Sequence, residues 1–131
     1  MTYASFLTGL SNLVVTGVTK RFSEPPAQLN AAQLPAQYVM LPAGTATVAT
    51  LAGGLEFVEC VAALRIVMEP IGQNTPSANW TKATTLMDAL HSALAANVDT
   101  LYADKWSMSV AEEPIGDVVY WVIAAEVTGS F

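Results

Sequence analysis

The sequence predicts an α+β fold: a mainly antiparallel sheet with two helices packed on one face and an extended hairpin. Three observations predict it. From Asn79 to Ala96, Trp80, Ala83, Met87, Leu90 and Leu94 recur at three- and four-residue steps, the stripe of an amphipathic helix. From Phe57 to Glu69, Val58, Cys60, Ala62, Leu64, Ile66 and Met68 alternate with a face carrying Glu59, Arg65 and Glu69, the period of a strand. From Asp117 to Thr128 a second strand-like block is apolar at nearly every position. A helix of that length needs a sheet to bury its stripe, and these two blocks are the natural sheet.

The remaining elements follow in order. Residues 2–15 form a first helix on the stripe Tyr3, Phe6, Leu7, Leu10, Leu13 and Val14, capped by Thr2 and ended by Gly17. Val18–Phe22 is a short strand that Lys20 and Arg21 confine to a sheet edge. Pro25, Pro26 and Pro35 keep 23–37 irregular, and its Ala and Gln content lays it over a surface. Gln37–Leu41 is a brief strand closed by Pro42-Ala43-Gly44. Thr45–Thr50 is a strand of small residues, and Gly53-Gly54 turns it back into a long hairpin with 55–69. That hairpin is either a contact surface for another protein or a mobile surface feature. The central helix takes Ser77 or Asn79 as its N-cap and Asn97 as a left-handed stop. Trp106, Met108 and Val110 alternate with Ser107 and Ser109 as a half-buried strand, and Ala111–Gly116 with Pro114 is an acidic turn.

In the last strand Val119, Trp121, Ile123, Ala125 and Val127 make one apolar face, and Val118, Tyr120, Val122 and Ala124 make the other apolar too. A strand apolar on both faces is buried on both. Two helices cover one face, so the 45–57 hairpin or a neighbouring subunit is expected to cover the second.

Composition points the same way. The 131 residues are long enough for one domain, 1–131, with a real core. They are 53% hydrophobic and only 12% charged, against about 25% charged in soluble domains. Such a chain has a surface of neutral Ala, Thr, Ser and Gln, or one that partners cover. The net charge of −6 with five Lys and Arg excludes a basic nucleic-acid-binding face. No apolar run approaches the roughly 18–20 residues of a membrane helix, and no basic-then-apolar start marks a signal peptide. The Asn79-Trp80-Thr81 glycosylation pattern is then coincidental.

The search for chemistry is mostly negative. Gly44, Gly53 and Gly54 lack the Lys-Ser/Thr of a phosphate loop and any dinucleotide spacing. One His and one Cys do not make a metal site, and no cofactor is expected. His91 lies at the edge of the helix stripe and reads as a boundary residue with a hydrogen bond rather than a general base. Cys60 reads as a small buried hydrophobe. Glu112, Glu113 and Asp117 read as a solvated hairpin tip, since acid–base work would need one carboxylate buried. The expectation is a protein that is not an enzyme.

The order of features is what carries a resemblance. An N-terminal amphipathic helix leads to Leu34-Pro35-Ala36-Gln37-Tyr38-Val39-Met40-Leu41, then to the long strand Glu56–Glu69 closing in Pro70. A polar turn, the helix Asn79–Ala96 and two last strands follow. This layout resembles the tail terminator proteins of long-tailed, siphovirus-type bacteriophages, the lambda type in particular; small head–tail joining and tail completion proteins share much of it. The chain departs from that pattern in the small, neutral residues 44–55 and in a lower acidic content.

The resemblance implies a non-catalytic virion subunit, assembled in the host cytoplasm, whose hexameric ring caps the tail tube and joins it to the head. Its partners would be other copies of itself, the tail tube protein and head–tail connector or neck proteins, with no membrane. Thr47, Val48, Leu51, Leu55, Phe57, Val61, Arg65, Tyr120 and Val122 would make subunit or tube contacts. Glu112, Glu113 and Asp117 would line the lumen, where an acidic wall lets DNA pass without adhering. The alternatives are a neck adaptor or tail completion subunit and, from another class, a small cytoplasmic α+β ligand-binding domain.

Overall fold

A fifteen-residue strand, β4 (Glu56–Pro70), is the spine of the sheet in the computed structural model of the protein. The structure describes residues 2–40, 46–50, 56–72 and 76–131, with the side chains of 46–50, 56–58 and 76 outside the description. One edge of β4 is shared by two strands: β2 (Ala36–Val39) pairs with its second half, Tyr38 opposite Arg65, and β3 (Ala46–Thr50) with its first, Thr47 opposite Glu59. The other edge takes β6 (Val118–Ser130), which in turn pairs with β5 (Ala103–Ile115). The short strand β1 (Lys20–Arg21) closes the far edge in parallel with β2, giving the order β1-β2-β4-β6-β5 with β3 beside β4. Every pairing but β1–β2 is antiparallel, so the fold is α+β with a predominantly antiparallel sheet.

Both longer helices lie on one face. Helix α1 (Tyr3–Ser11) starts in a reciprocal cap between Thr2 and Ser5. It ends three residues before the apolar stripe does. The Gln37 amide, fully buried, donates to the carbonyls of Leu10 at 3.2 Å and Leu13 at 3.0 Å, satisfying orphan groups at that end. Leu13 is still buried, but Val14 is 72% exposed. Gly17 then turns the chain at φ +96°, where only glycine is unstrained.

Helix α2 (Pro76–Ala96) begins with proline at its first position, which needs no N–H there; Ser77 and Asn79 are therefore inside the first turn, not caps. Its buried stripe is Ala83, Leu86, Leu90 and Leu94 with Met87 packed alongside. Each buried leucine contributes about 2 kcal/mol by removal from water. Trp80, expected in that stripe, is 73% exposed. Asn97 is not a left-handed stop: its φ is −117°, and its amide donates to Ala93 O at 2.8 Å. One more turn, α3 (Val98–Leu101), follows, and the left-handed residue is Tyr102 at φ 57°.

Under the helices, Phe6, Leu10, Leu90 and Leu94 meet Leu64, Ile66, Ile123, Ala125 and Val127 in the main core. Ala62, Leu64, Ile66 and Met68 of β4 supply that face as the alternation required, and Cys60 is buried as well. A bulge between Val67 and Glu69 breaks the alternation and brings Glu69 to the helix side, opposite Trp121.

The acidic stretch 111–116 is strand, not turn. Pro114 lies within β5, which can hold it because β5 is an edge strand and a missing N–H on the outer side costs no ladder bond. The reversal itself is two residues, Gly116 and Asp117, with Ile115 opposite Val118 and Gly116 at φ +63°.

Candidate interaction surface

The sheet face away from the helices is divided into a covered half and an open half. On the covered half Tyr38, Val67, Ile115, Tyr120 and Val122 form a second core, roofed by Phe22, Leu29 and Leu34. The proline-rich connection is thus the cover. Tyr120 Oη donates to Leu29 O at 3.4 Å, and the connection passes so close to the hairpin that a Cβ on Gly116 would stand 3.0 Å from Ala27 O.

This corrects two sequence expectations. Tyr120 and Val122, placed on an exposed side for subunit contacts, are 4% and 0% exposed. Residues 22–34 cover the second face of the last strand at Tyr120 and Val122, while Val118 stays 40% exposed and Ala124 half-buried. The signal was present in Phe22, Leu29 and Leu34, apolar residues spaced through a segment otherwise too broken by proline to be an element.

The open half carries Val61, Ala63, Arg65, Ala111 and Ala124, all half-buried, with Ser107, Ser109 and Glu126 exposed. Val61 and Arg65 thus remain on a partly accessible surface, although Arg65 is engaged by Glu113 at 3.0 Å. The backbones of Thr47, Val48 and Phe57 are in the β3–β4 ladder, with their side chains outside the description. Leu51 and Leu55 lie outside the described residues, as does the Gly53-Gly54 turn.

The three acidic residues do not line one surface. Glu112 pairs with Trp121 and Glu113 with Tyr120, so the two carboxylates sit on opposite faces of β5. Glu112 and Asp117 are exposed, whereas Glu113 is half-buried against Arg65. Tyr38 stands beside this pair. Burial raises its phenol above the ordinary tyrosine value, and the Glu113 charge raises it further against the opposing pull of Arg65.

On the helix face a cleft of about 520 Å³ opens between the start of α2 and the ends of β4, β5 and β6. Met68, Ala83, Val110 and Trp121 line it, with Asn79 and Trp80 at its helix side. Ile71, Val110 and Val119 are also exposed, at 40%, 42% and 37%, and Ile71 N donates to Val119 O at 3.0 Å. The lining of the cleft is mostly apolar, and polar groups beside it tie the elements together. The Asn79 amide, turned with its nitrogen toward Glu69, donates to that carboxylate at 2.5 Å and accepts from Trp121 Nε1 at 3.2 Å. Lys82 Nζ adds a contact to Glu69 at 3.5 Å. These partners hold the Trp121 indole and α2 in fixed relation, while Trp80 projects into solvent.

The helical period could not place Trp80 outward, because positions 80, 83, 87, 90 and 94 share a stripe; the stripe outruns the sheet that covers it. A wider hollow of about 690 Å³ on another side of α2 is lined by Gly17, Pro35, Ser77, Thr81, Lys82 and Thr85, with its lysine already committed to Glu69.

Among the described residues no three His, Cys, Asp or Glu side chains gather as metal ligands, and no helix is long and apolar enough to cross a membrane. His91 accepts a hydrogen bond from Trp106 Nε1 at 3.1 Å on the exposed side of α2. No known family model matches the chain, and no curated protein matches it.

Proposed function

We propose that this protein is a virion structural subunit, a tail terminator whose homo-oligomeric ring caps a phage tail tube and joins it to the head. The observation that supports an assembly role is Trp80, 73% exposed at the rim of an apolar cleft that the exposed Val110 also lines. An exposed aromatic in an apolar patch on a surface poor in charge is the make-up of a protein contact. The choice of a terminator rests on the order of elements: amphipathic helix, short strand, long strand ended by Pro70, long helix and a final hairpin. In that role Glu112 and Asp117, both exposed, face DNA without binding it, and the ring associates with the tail tube and neck proteins in the virion.

A neck adaptor or tail completion subunit is the neighbouring reading and makes the same demands on the surface. One observation favours a different class. The cleft volume, about 520 Å³, falls in the range of small-molecule sites, with two indoles and a single amide to orient a guest. In this ligand-binding reading the chain is a cytoplasmic monomer or dimer.

Light scattering on the purified chain, with negative-stain images of the same sample, separates the readings. Rings, or a subunit that caps purified tail tubes, are the expected result. A monomer or dimer that ignores tubes and binds a small apolar molecule with quenching of Trp80 and Trp121 would overturn it. Charge reversal at Glu112 and Asp117 should leave assembly intact and impair DNA ejection; unchanged ejection would remove the lumen role.

A further inference from the structure

Among the described residues, the longest strand edge left unpaired is the outer edge of β5. This thirteen-residue strand pairs with β6 on one side, and among the described residues no strand pairs with the other. Edge strands are ordinarily blunted by charge, proline, bulges or brevity. Here those devices sit only at the ends: the Ala103/Lys105 bulge with Asp104 and Lys105 at one, Glu112, Glu113 and Pro114 at the other. Between them Trp106-Ser107-Met108-Ser109-Val110-Ala111 is a six-residue run without a charge or a proline.

We infer that the β5 edge is a self-pairing surface, joined antiparallel to β5 of a second copy across a twofold axis through Ser109. The charges at the two ends select this occupant and this register. With Ser109 on the axis, Lys105 stands opposite Glu113 of the second copy, and the symmetry makes the pair twice. Met108 meets Val110, so the 42% exposed valine gains a cross-strand apolar neighbour, and Ser107 meets Ala111. Shifting the axis to Met108 sets Asp104 opposite Glu112, two like charges, twice. Shifting it to Val110 sets Lys105 opposite Ile115 and Ser107 opposite Glu113, with no opposite charges matched. Of these three registers only the one through Ser109 is complementary.

Glu113 suits the role because Arg65 grips it from the inner side with 3.0 and 3.1 Å contacts. Lysine from the second copy arrives on the outer side, so the carboxylate rests between two cations. A twofold axis perpendicular to the sheet keeps the helices of both copies on the same face and continues one sheet through both. The contact is isologous, separate from the head-to-tail contacts of a ring, and does not depend on the terminator reading. It shields the long edge while the subunit is free.

Cysteine crosslinking reads the register directly. Ser109→Cys should give a disulfide-linked dimer under mild oxidation at micromolar protein, because an axial residue faces its own copy. Ser107→Cys alone should not, and wild-type protein, whose Cys60 is buried, supplies the background. Ser107→Cys combined with Ala111→Cys should crosslink again. In parallel, Lys105→Glu, at an exposed position, should raise the dimer dissociation constant roughly ten-fold at low salt, with an unchanged circular dichroism spectrum. The inference is overturned if Ser109→Cys fails to crosslink, if Ser107→Cys alone crosslinks equally well, or if Lys105→Glu leaves the dimer unchanged. Rings from a protein whose Ser109→Cys variant does not crosslink would overturn this contact and leave the terminator reading standing. Crosslinked dimers that never form rings or cap tubes would do the reverse.

Discussion

The Arg65 guanidinium on β4 reaches over the whole width of β6 to the Glu113 carboxylate on β5, with Nε 3.0 Å from Oε1 and 3.1 Å from Oε2. On the intervening strand Ala124 is in register with Arg65 and Tyr120 with Glu113, so the pair crosses β6 diagonally. The pair therefore ties three strands on the open face of the sheet, at side-chain exposures of 16% and 27%. Removing one member leaves the other partly buried and alone. Glu113→Gln and Arg65→Met should each cost about 1–2 kcal/mol in urea unfolding. The double variant should recover part of that loss, since two neutral groups need no partner.

Tyr38, next to this pair, makes stability depend on pH at the alkaline end. Its folded-state pKa lies above the ordinary 10.0, first through burial and then through Glu113. A raised folded pKa means that the native state holds the proton more tightly than the unfolded chain. The contribution is full below about pH 10 and is lost as pH rises through the folded value. Thermal unfolding of the wild type should fall off above about pH 10, and Tyr38→Phe should flatten part of that decline. Tyr3, raised by burial and then by Cys60, supplies a further part.

Gln37 tests whether a buried amide can define a helix end. Its Nε2 donates to the carbonyls of Leu10, in the last turn of α1, and of Leu13, just beyond it, while its Oε1 has no partner among the described residues. Gln37→Ala should destabilise by about 2–4 kcal/mol, combining a cavity with the loss of its bonds to Leu13 O and to Leu10 O, the latter keeping Leu13 N as a donor. Gln37→Leu fills the space and removes the unsatisfied oxygen, so its cost should be smaller. Chemical denaturation of the two variants side by side checks the order.

Gly129 is required by space, not by backbone angle. A Cβ there would stand 2.8 Å from Phe6 Cε1 and 3.2 Å from Tyr102 O. Gly129→Ala should cost about 1–3 kcal/mol by forcing α1 off the sheet. Adding Phe6→Leu should give a double variant less unstable than the sum of the two changes, which a double-mutant cycle would measure.

Trp80 and Trp121 should separate assembly from folding. Trp80→Ala removes a side chain that is 73% exposed, so the melting temperature should barely move, within about 0.5 kcal/mol. Self-association or tube binding in the proposed function should fall at least ten-fold, read by light scattering. Trp121→Ala should unfold more readily by about 3 kcal/mol, because its ring packs on the core and its N–H meets Asn79.

Element types and the architecture class were legible in the order of residues alone. Alternation from Val58 to Met68 makes a strand because side chains on a pleated chain point to alternate sides, and the stripe Ala83–Leu94 makes a helix because 3.6 residues complete a turn. That order also placed Lys20-Arg21 at an edge and Cys60 inside. Each of these depends only on a residue's neighbours along the chain. The partners of surface groups depend on what other elements bring. That residues 22–34 would roof Tyr120 and Val122, that a bulge would turn Glu69 toward Asn79 and Lys82, and that β5 would be the edge able to hold Pro114 were decided by tertiary packing. Trp80 shows the division most plainly. Helical periodicity aligned it with the buried leucines, but burial needs a surface opposite, and at that end of α2 the sheet leaves a cleft instead.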